Sequence, residues 1–132
     1  MTAQHRFLTV AEVMDIHDQE ITAAGGVSGL RDQAALESAL GAVQASFAGR
    51  HLMDIFEMAA TYVNSIALNH PFVDGNKRTA LASGLTFLFM NGYEVEESGD
   101  EELADKTLEL VNRRITKSDL AEHLRSRSRE MQ

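Results

Sequence analysis

Apolar residues return about every 3.6 positions along most of this chain, and the breaks in that rhythm fall at glycines and short polar stretches. The first helix is marked by Thr9 and Glu12 in capping-box spacing, with Leu8 and Val13 placed to close a hydrophobic staple. Val10, Val13, Met14, His17, Ile21 and Ala24 continue its inner stripe until Gly25, a natural helix stop. His17 reads as a packed, hydrogen-bonded core histidine. Gly25, Gly26 and Gly29 then make the stretch up to Arg31 a connector or a mobile flap. Asp32 caps a second helix in which Leu36, Leu40, Val43 and Phe47 repeat as far as Gly49. Gly41 inside it costs about 1 kcal/mol against alanine and suggests close approach by a neighbouring element.

Asp54 and Glu57 repeat the capping-box spacing and open a third helix with Ile55, Met58, Ala59, Tyr62, Val63, Ile66 and Ala67 on its apolar face. From Thr79 to Asn91 the sequence is apolar nearly all round, which predicts a buried central helix ending at Gly92. Tyr93 to Glu96 alternates like a short strand. Ser98 or Asp100 starts a helix carrying Leu103, Ala104, Leu108 and Val111, and Thr116 with Asp119 starts another behind an Ile115–Leu120 staple. The polar tail from about Ser126 is expected to fray. Six helices and a strand stub without internal repeat predict one all-α domain over residues 1–132, packed around the Thr79–Asn91 segment.

Composition narrows the function. The chain is 44% hydrophobic and 24% charged, as a globular domain should be, and it has no cysteine for disulfides or thiolate metal sites. No apolar run approaches the roughly 20 residues of a membrane span, and no apolar leader opens the chain, so a cytoplasmic location is expected. A net charge of −8 argues against direct nucleic-acid binding. The acids crowded between Glu94 and Asp105 and the bases near the end read as a solvated acidic turn and a basic helix end.

One stretch combines chemistry in a way the rest does not: His70-Pro71-Phe72-Val73-Asp74-Gly75-Asn76-Lys77-Arg78-Thr79. Pro71, the single proline, biases His70 away from the α region and ends the preceding helix. Asp74-Gly75 is a turn pair, and Asn76 is a suitable N-cap for the apolar helix beyond. The N–H groups of Lys77, Arg78 and Thr79 would then point into a site suited to phosphate. A neutral imidazole at His70 can take a proton from a hydroxyl. Asp74 can hold Mg²⁺, which favours one or two carboxylates together with phosphate oxygens. Lys77 and Arg78 can neutralise phosphate charge, Asn76 can donate a hydrogen bond, and Phe72 can pin the backbone. These parts serve phosphoryl or nucleotidyl transfer, although the glycine spacing of a Walker A loop is missing. The plainer alternative is a polar loop with a buried histidine and surface cations.

The ten residues from His70 to Thr79 resemble the signature loop of the Fic/Doc (Fido) family, most closely its Doc branch of toxins from toxin–antitoxin modules. Gly25-Gly26, Gly29-Leu30-Arg31-Asp32 and Leu36-Glu37-Ser38-Ala39-Leu40 are similar to that branch's flap and following helix, and Phe87-Leu88 with Asn91-Gly92-Tyr93 to its central-helix exit. The resemblance spans roughly residues 9–96. It implies an all-α Fido fold and ATP-dependent transfer to a protein hydroxyl. His70 would be the general base, Asp74 the Mg²⁺ ligand and Phe72 the loop anchor. Gly75, Asn76, Lys77 and Arg78 would line the nucleotide phosphates.

Members that transfer AMP usually read Gly-Asn-Gly-Arg, whereas this chain reads Gly75-Asn76-Lys77-Arg78. A side chain at Lys77 fills the space the glycine leaves for the phosphates. Doc-type members share the lysine, so the resemblance implies transfer of the γ-phosphoryl group, with elongation factor Tu as target, in preference to adenylylation. A ribonuclease toxin with an Arg-x₄₋₆-His pair and a non-catalytic binding module are the rival classes, and no arginine stands at that spacing before a histidine here. The Ser118 and Glu122 spacing, followed by His123, only partly matches the family's inhibitory helix. A separate antitoxin protein is the expected partner.

Overall fold

Helix α3, Ile55–Asn69, is the axis of the molecule. The computed structural model describes residues 5–47, 50–96 and 101–132. Within them run α1 (Val10–Ala24), α2 (Gln33–Gly41), a 3₁₀ turn (Ala42–Gln44), β1 (Ser46–Phe47), β2 (Arg50–His51), α3, α4 (Asn76–Met90), β3 (Tyr93–Val95), α5 (Glu102–Val111), α6 (Lys117–Arg127) and β4 (Ser128–Glu130). The fold is helical, with two small antiparallel strand pairs, β1–β2 and β3–β4.

The helix starts follow the local chemistry. Thr9 and Glu12, Asp54 and Glu57, and Thr116 and Asp119 each close a reciprocal capping box, satisfying N–H groups that a helix start leaves unpaired. Ahead of α1, the Leu8 N–H donates to the buried Tyr62 hydroxyl at 3.0 Å, and burial pushes that phenol up to about 12.

The central role is shared differently from the sequence expectation. Ten residues of α3 are buried against seven of α4, and Phe89 on α4 is 59% exposed. The reason is position: α3 packs against four helices, α2, α4, α5 and α6, while α4 packs against three, α1, α3 and α5, and the short β3, leaving Phe89 uncovered. The close approach expected at Gly41 is absent, since a Cβ there would meet nothing within 4 Å. It occurs at Gly84, where a Cβ would lie 3.0 Å from the Ala59 carbonyl oxygen and 2.7 Å from a Val63 methyl, so glycine lets α3 and α4 meet closely.

Other boundaries also moved. The second helix ends at Gly41, short of Phe47, which belongs to the β1–β2 hairpin; Gly49 lies outside the described residues. Helix α5 starts at Glu102 after an N-cap at Glu101, and the expected caps Ser98 and Asp100 also lie outside. The tail does not fray at Ser126. Helix α6 continues to Arg127, and Ser128, Arg129 and Glu130 pair with Val95, Glu94 and Tyr93. An edge strand without apolar residues had no alternation to reveal it. No described helix is long and apolar enough to cross a membrane.

Candidate functional site

The loop joining α3 to α4 is held from inside by two residues. Phe72 is 2% exposed and its ring stacks on the buried His17 of α1, with centroids 3.9 Å apart and planes 5° from parallel. Asn76, buried at the first position of α4, closes the loop. Its side-chain oxygen accepts from the Phe72 N–H at 2.9 Å, and its side-chain N–H donates to the Phe72 carbonyl at 2.9 Å. His17 adds a third tie, its Nε2 lying 2.8 Å from the Asp74 carbonyl, where it must be the donor. It is the packed histidine the pattern predicts, and its packing partner is the loop itself.

Asn76 is therefore not the N-cap. Gly75 takes that place in the left-handed region (φ +75°), and the Thr79 N–H is already bonded to the Gly75 carbonyl at 2.9 Å. The orphan donors of the first turn are those before Thr79, including Lys77 and Arg78. A Cβ on Gly75 would sit 3.1 Å from Ile21 and 3.3 Å from the Arg78 guanidinium, so the turn needs glycine for space as well as for φ.

His70 adopts a left-handed conformation (φ +48°, ψ +54°), which keeps it off the right-handed helix as Pro71 demands but not in the extended region proline favours. For a residue with a side chain this costs on the order of 1–2 kcal/mol. Its ring is exposed, with Nδ1 3.2 Å from the Asn76 amide nitrogen. Because the Phe72 bonds fix which end of that amide is nitrogen, Nδ1 faces a donor, and the tautomer that accepts this bond carries its proton on Nε2.

Asp74 is exposed at the loop tip. Its carboxylate accepts the Val27 N–H at 3.1 Å and the Gly75 N–H at 2.8 Å. Those two bonds, Val27 first, hold its carboxyl below the usual range, with the charge of Arg78 adding to the effect. Arg78 donates to the Gly25 carbonyl at 2.9 Å and, more loosely, to that of Glu20 at 3.4 Å. Lys77 is exposed beside them. His70, Val73, Asp74, Gly75, Asn76, Lys77 and Arg78 together line an open cleft of about 260 Å³. That is just under the range of about 300–1,000 Å³ usual for small-molecule pockets, so it suits the phosphate end of a nucleotide better than the whole.

All the residues singled out in the sequence thus meet at one place, but with different duties. Phe72 is an anchor, Asn76 a loop clasp, Asp74 and Lys77 face outward, and the half-buried Arg78 ties the loop to the end of α1. Asp74 fits a role toward Mg²⁺: it is ionised, accessible and keeps unshared lone pairs, and a lone carboxylate suits an ion that shares phosphate oxygens. Among the described residues no group of three or more acids or histidines could hold a metal by itself. Sequence reading missed the contacts from Gly25 to Arg31. Val73 donates to the Gly29 carbonyl at 3.0 Å, the N–H groups of Arg31 and Asp32 both reach the Pro71 carbonyl at 2.7 and 3.0 Å, and Leu30 bridges to Phe72. The glycines signalled a turn there; nothing local signalled its partner.

Comparison with known proteins identifies the family. The model of the Fic/DOC family matches residues 7–88, which include the whole loop. A protein of Escherichia phage P1 named protein kinase doc is 41% identical over 120 residues, covering 91% of this chain and 94% of the relative. A toxin Doc of Mycolicibacterium smegmatis is 36% identical over 96 residues, 72% of each chain. The chain belongs to the Fic/DOC family.

Proposed function

We propose that the protein is a Doc-like toxin that transfers the γ-phosphoryl group of ATP to a hydroxyl of a protein, with elongation factor Tu as target, and so stops translation. The observation that carries this reading is Lys77. In the first turn of α4, exposed and beside Arg78 and Asp74, it adds a second cation where a glycine would leave room for the nucleotide phosphates. The phage P1 relative's name, protein kinase doc, supports the same reading.

The chain's own groups have definite tasks in such a transfer. The target hydroxyl oxygen forms a bond to the γ-phosphorus while the bond to the β–γ bridging oxygen breaks and ADP leaves. Lys77, Arg78 and the free N–H groups of α4 bind the phosphate charge. Mg²⁺ beside Asp74 would supply further charge neutralisation on the phosphates. His70 takes the hydroxyl proton, which requires its exposed ring to turn away from Asn76 and present a free nitrogen. Arg78 releases the Gly25 carbonyl to reach phosphate. A cognate antitoxin protein would restrain the toxin until needed.

Incubation with α- and γ-labelled ATP, Mg²⁺ and purified elongation factor Tu tests this. Label is expected on the target from the γ position alone, and transfer from the α position alone would show an AMP transferase instead. Lys77→Gly, which rebuilds the Gly-Asn-Gly-Arg pattern, should shift transfer toward the α label.

A further inference from the structure

We propose that Arg31 is the positioning residue for His70, holding the histidine's backbone in the left-handed conformation that aims its ring into the cleft. The proposal rests on the reading above for what His70 does, but its structural half stands alone.

The need for such a residue follows from the sequence of the turn. In the Schellman ending, a helix that stops at a left-handed residue is tied by an N–H from the residue after it. Here the residue after His70 is Pro71, which has no N–H. Left to itself, a residue before proline moves to the extended region, and that change would swing the Cβ of His70 and carry its ring away from the cleft it lines.

Arg31 supplies the missing donors. Its Nε donates to the His70 carbonyl at 2.7 Å, and its Nη2 donates to the same oxygen and, at 3.2 Å, to the Asn69 carbonyl. A guanidinium also opposes the partial negative charge at a helix C-terminus. The arm is itself fixed. The Arg31 N–H is bonded to the Pro71 carbonyl, Asp32 caps α2 through the Ala35 N–H at 3.0 Å, and the Asn69 side chain reaches back to the Ala35 carbonyl at 3.0 Å. Helix α2 thus carries the guanidinium, and the guanidinium carries the carbonyl of His70. The fork of donors matters, because a lysine could offer charge but not two directed N–H groups from one plane.

The test uses the full chain with Arg31→Ala, Arg31→Gln and Arg31→Lys, read by ¹⁵N-resolved NMR of the His70 ring and by steady-state transfer. In the wild type the ring is expected as the Nε2–H form with Nδ1 hydrogen-bonded. In Arg31→Ala those ring signals shift toward an exposed, averaging histidine while the Phe72 and Asn76 amides keep their positions. Transfer should fall about 100-fold in kcat with KM for ATP nearly unchanged, as expected when a reacting group is misplaced by an ångström. Arg31→Lys should recover part of the rate, and millimolar guanidinium should rescue Arg31→Ala without affecting wild type.

Ring signals identical in wild type and Arg31→Ala would overturn the proposal. So would a wild-type rate in Arg31→Ala, or a loss shared by kcat, KM and Tm that guanidinium does not relieve. Should Arg31→Ala not fold, Arg31→Gln and Arg31→Lys give the same comparison. A wild-type protein that transfers nothing from ATP would refute the proposed function, and the ring comparison would still decide the role of Arg31.

Discussion

Helices α1 and α3 end in similar ways with opposite consequences. Each finishes under an arginine brought from across the site: Arg78 reaches the carbonyls of Glu20 and Gly25, and Arg31 reaches those of Asn69 and His70. After α1 the turn is made by Gly25 and Gly26 at φ +82° and +123°, which glycine adopts readily. After α3 there is no glycine, and His70 takes the left-handed turn. One helix end is relaxed; the other keeps its strain at His70, the residue proposed above as the base, as functional sites often do. Their supports differ as well. The α3 end is locked from inside by Phe72 and Asn76, while the glycine segment is held largely by what it borrows from the loop, through Val27 to Asp74 and Gly29 to Val73. The loop should therefore keep its shape when the segment lets go.

The strongest way to break that contrast is to remove the inner lock. Phe72→Ala deletes a fully packed ring and its stack on His17, and should cost about 3–5 kcal/mol in chemical denaturation. A loss under 1 kcal/mol would mean the loop is held from elsewhere. Asn76→Ala comes next. It strands a buried N–H and carbonyl of Phe72 and should cost about 1–3 kcal/mol, with the His70 ring losing its NMR-visible bond at Nδ1.

Much of this contrast was legible in advance, and the parts that were not share a cause. Capping boxes and turn glycines act within a few residues, so Thr9, Asp54, Thr116 and Gly25 could be read directly. The loop's chemistry was visible because its residues are adjacent in sequence. What stayed hidden were pairings across the fold. Asn76 looks like a cap until Gly75 is seen in the left-handed region and Phe72 is seen to use both ends of the amide. Arg31 is one more surface cation until α2 docks on α3, and Gly41 and Gly84 cannot be ranked until the helix crossing is placed. Strand β4 offered no pattern because Ser128, Arg129 and Glu130 are all polar.

A milder perturbation acts from the other side. Gly26 lies at φ +123°, and a Cβ there would fall 2.7 Å from an Asp74 carboxylate oxygen. Gly26→Ala should release the segment from the loop at a cost of roughly 1–3 kcal/mol. Hydrogen exchange can see this without unfolding the protein: the Val27 amide should exchange much faster while the Phe72 amide keeps its protection. Equal loss at both positions would show that the loop depends on the segment after all.

The smallest effect is one of pH, and it separates the two helix ends cleanly. The Val27 tie ends on a carboxylate that can be protonated; the Arg31 tie ends on a carbonyl, and a guanidinium keeps its charge at any ordinary pH. Asp74 is held below its usual range by the Val27 and Gly75 N–H groups, with Arg78 and His17 as the charged or titratable neighbours. A depressed carboxyl contributes stability that is present above its unfolded value of about 3.9 and is lost as pH falls through the folded value. The Val27 amide shift should therefore be flat from about pH 5 upward and move only in acid, below about 3.9. Asp74→Asn, which keeps an acceptor oxygen but has no proton to gain, should remove that acid transition and leave the His70 backbone untouched. A Val27 transition near neutral pH that survives Asp74→Asn would mean that another group, with His17 the nearest candidate, controls the segment.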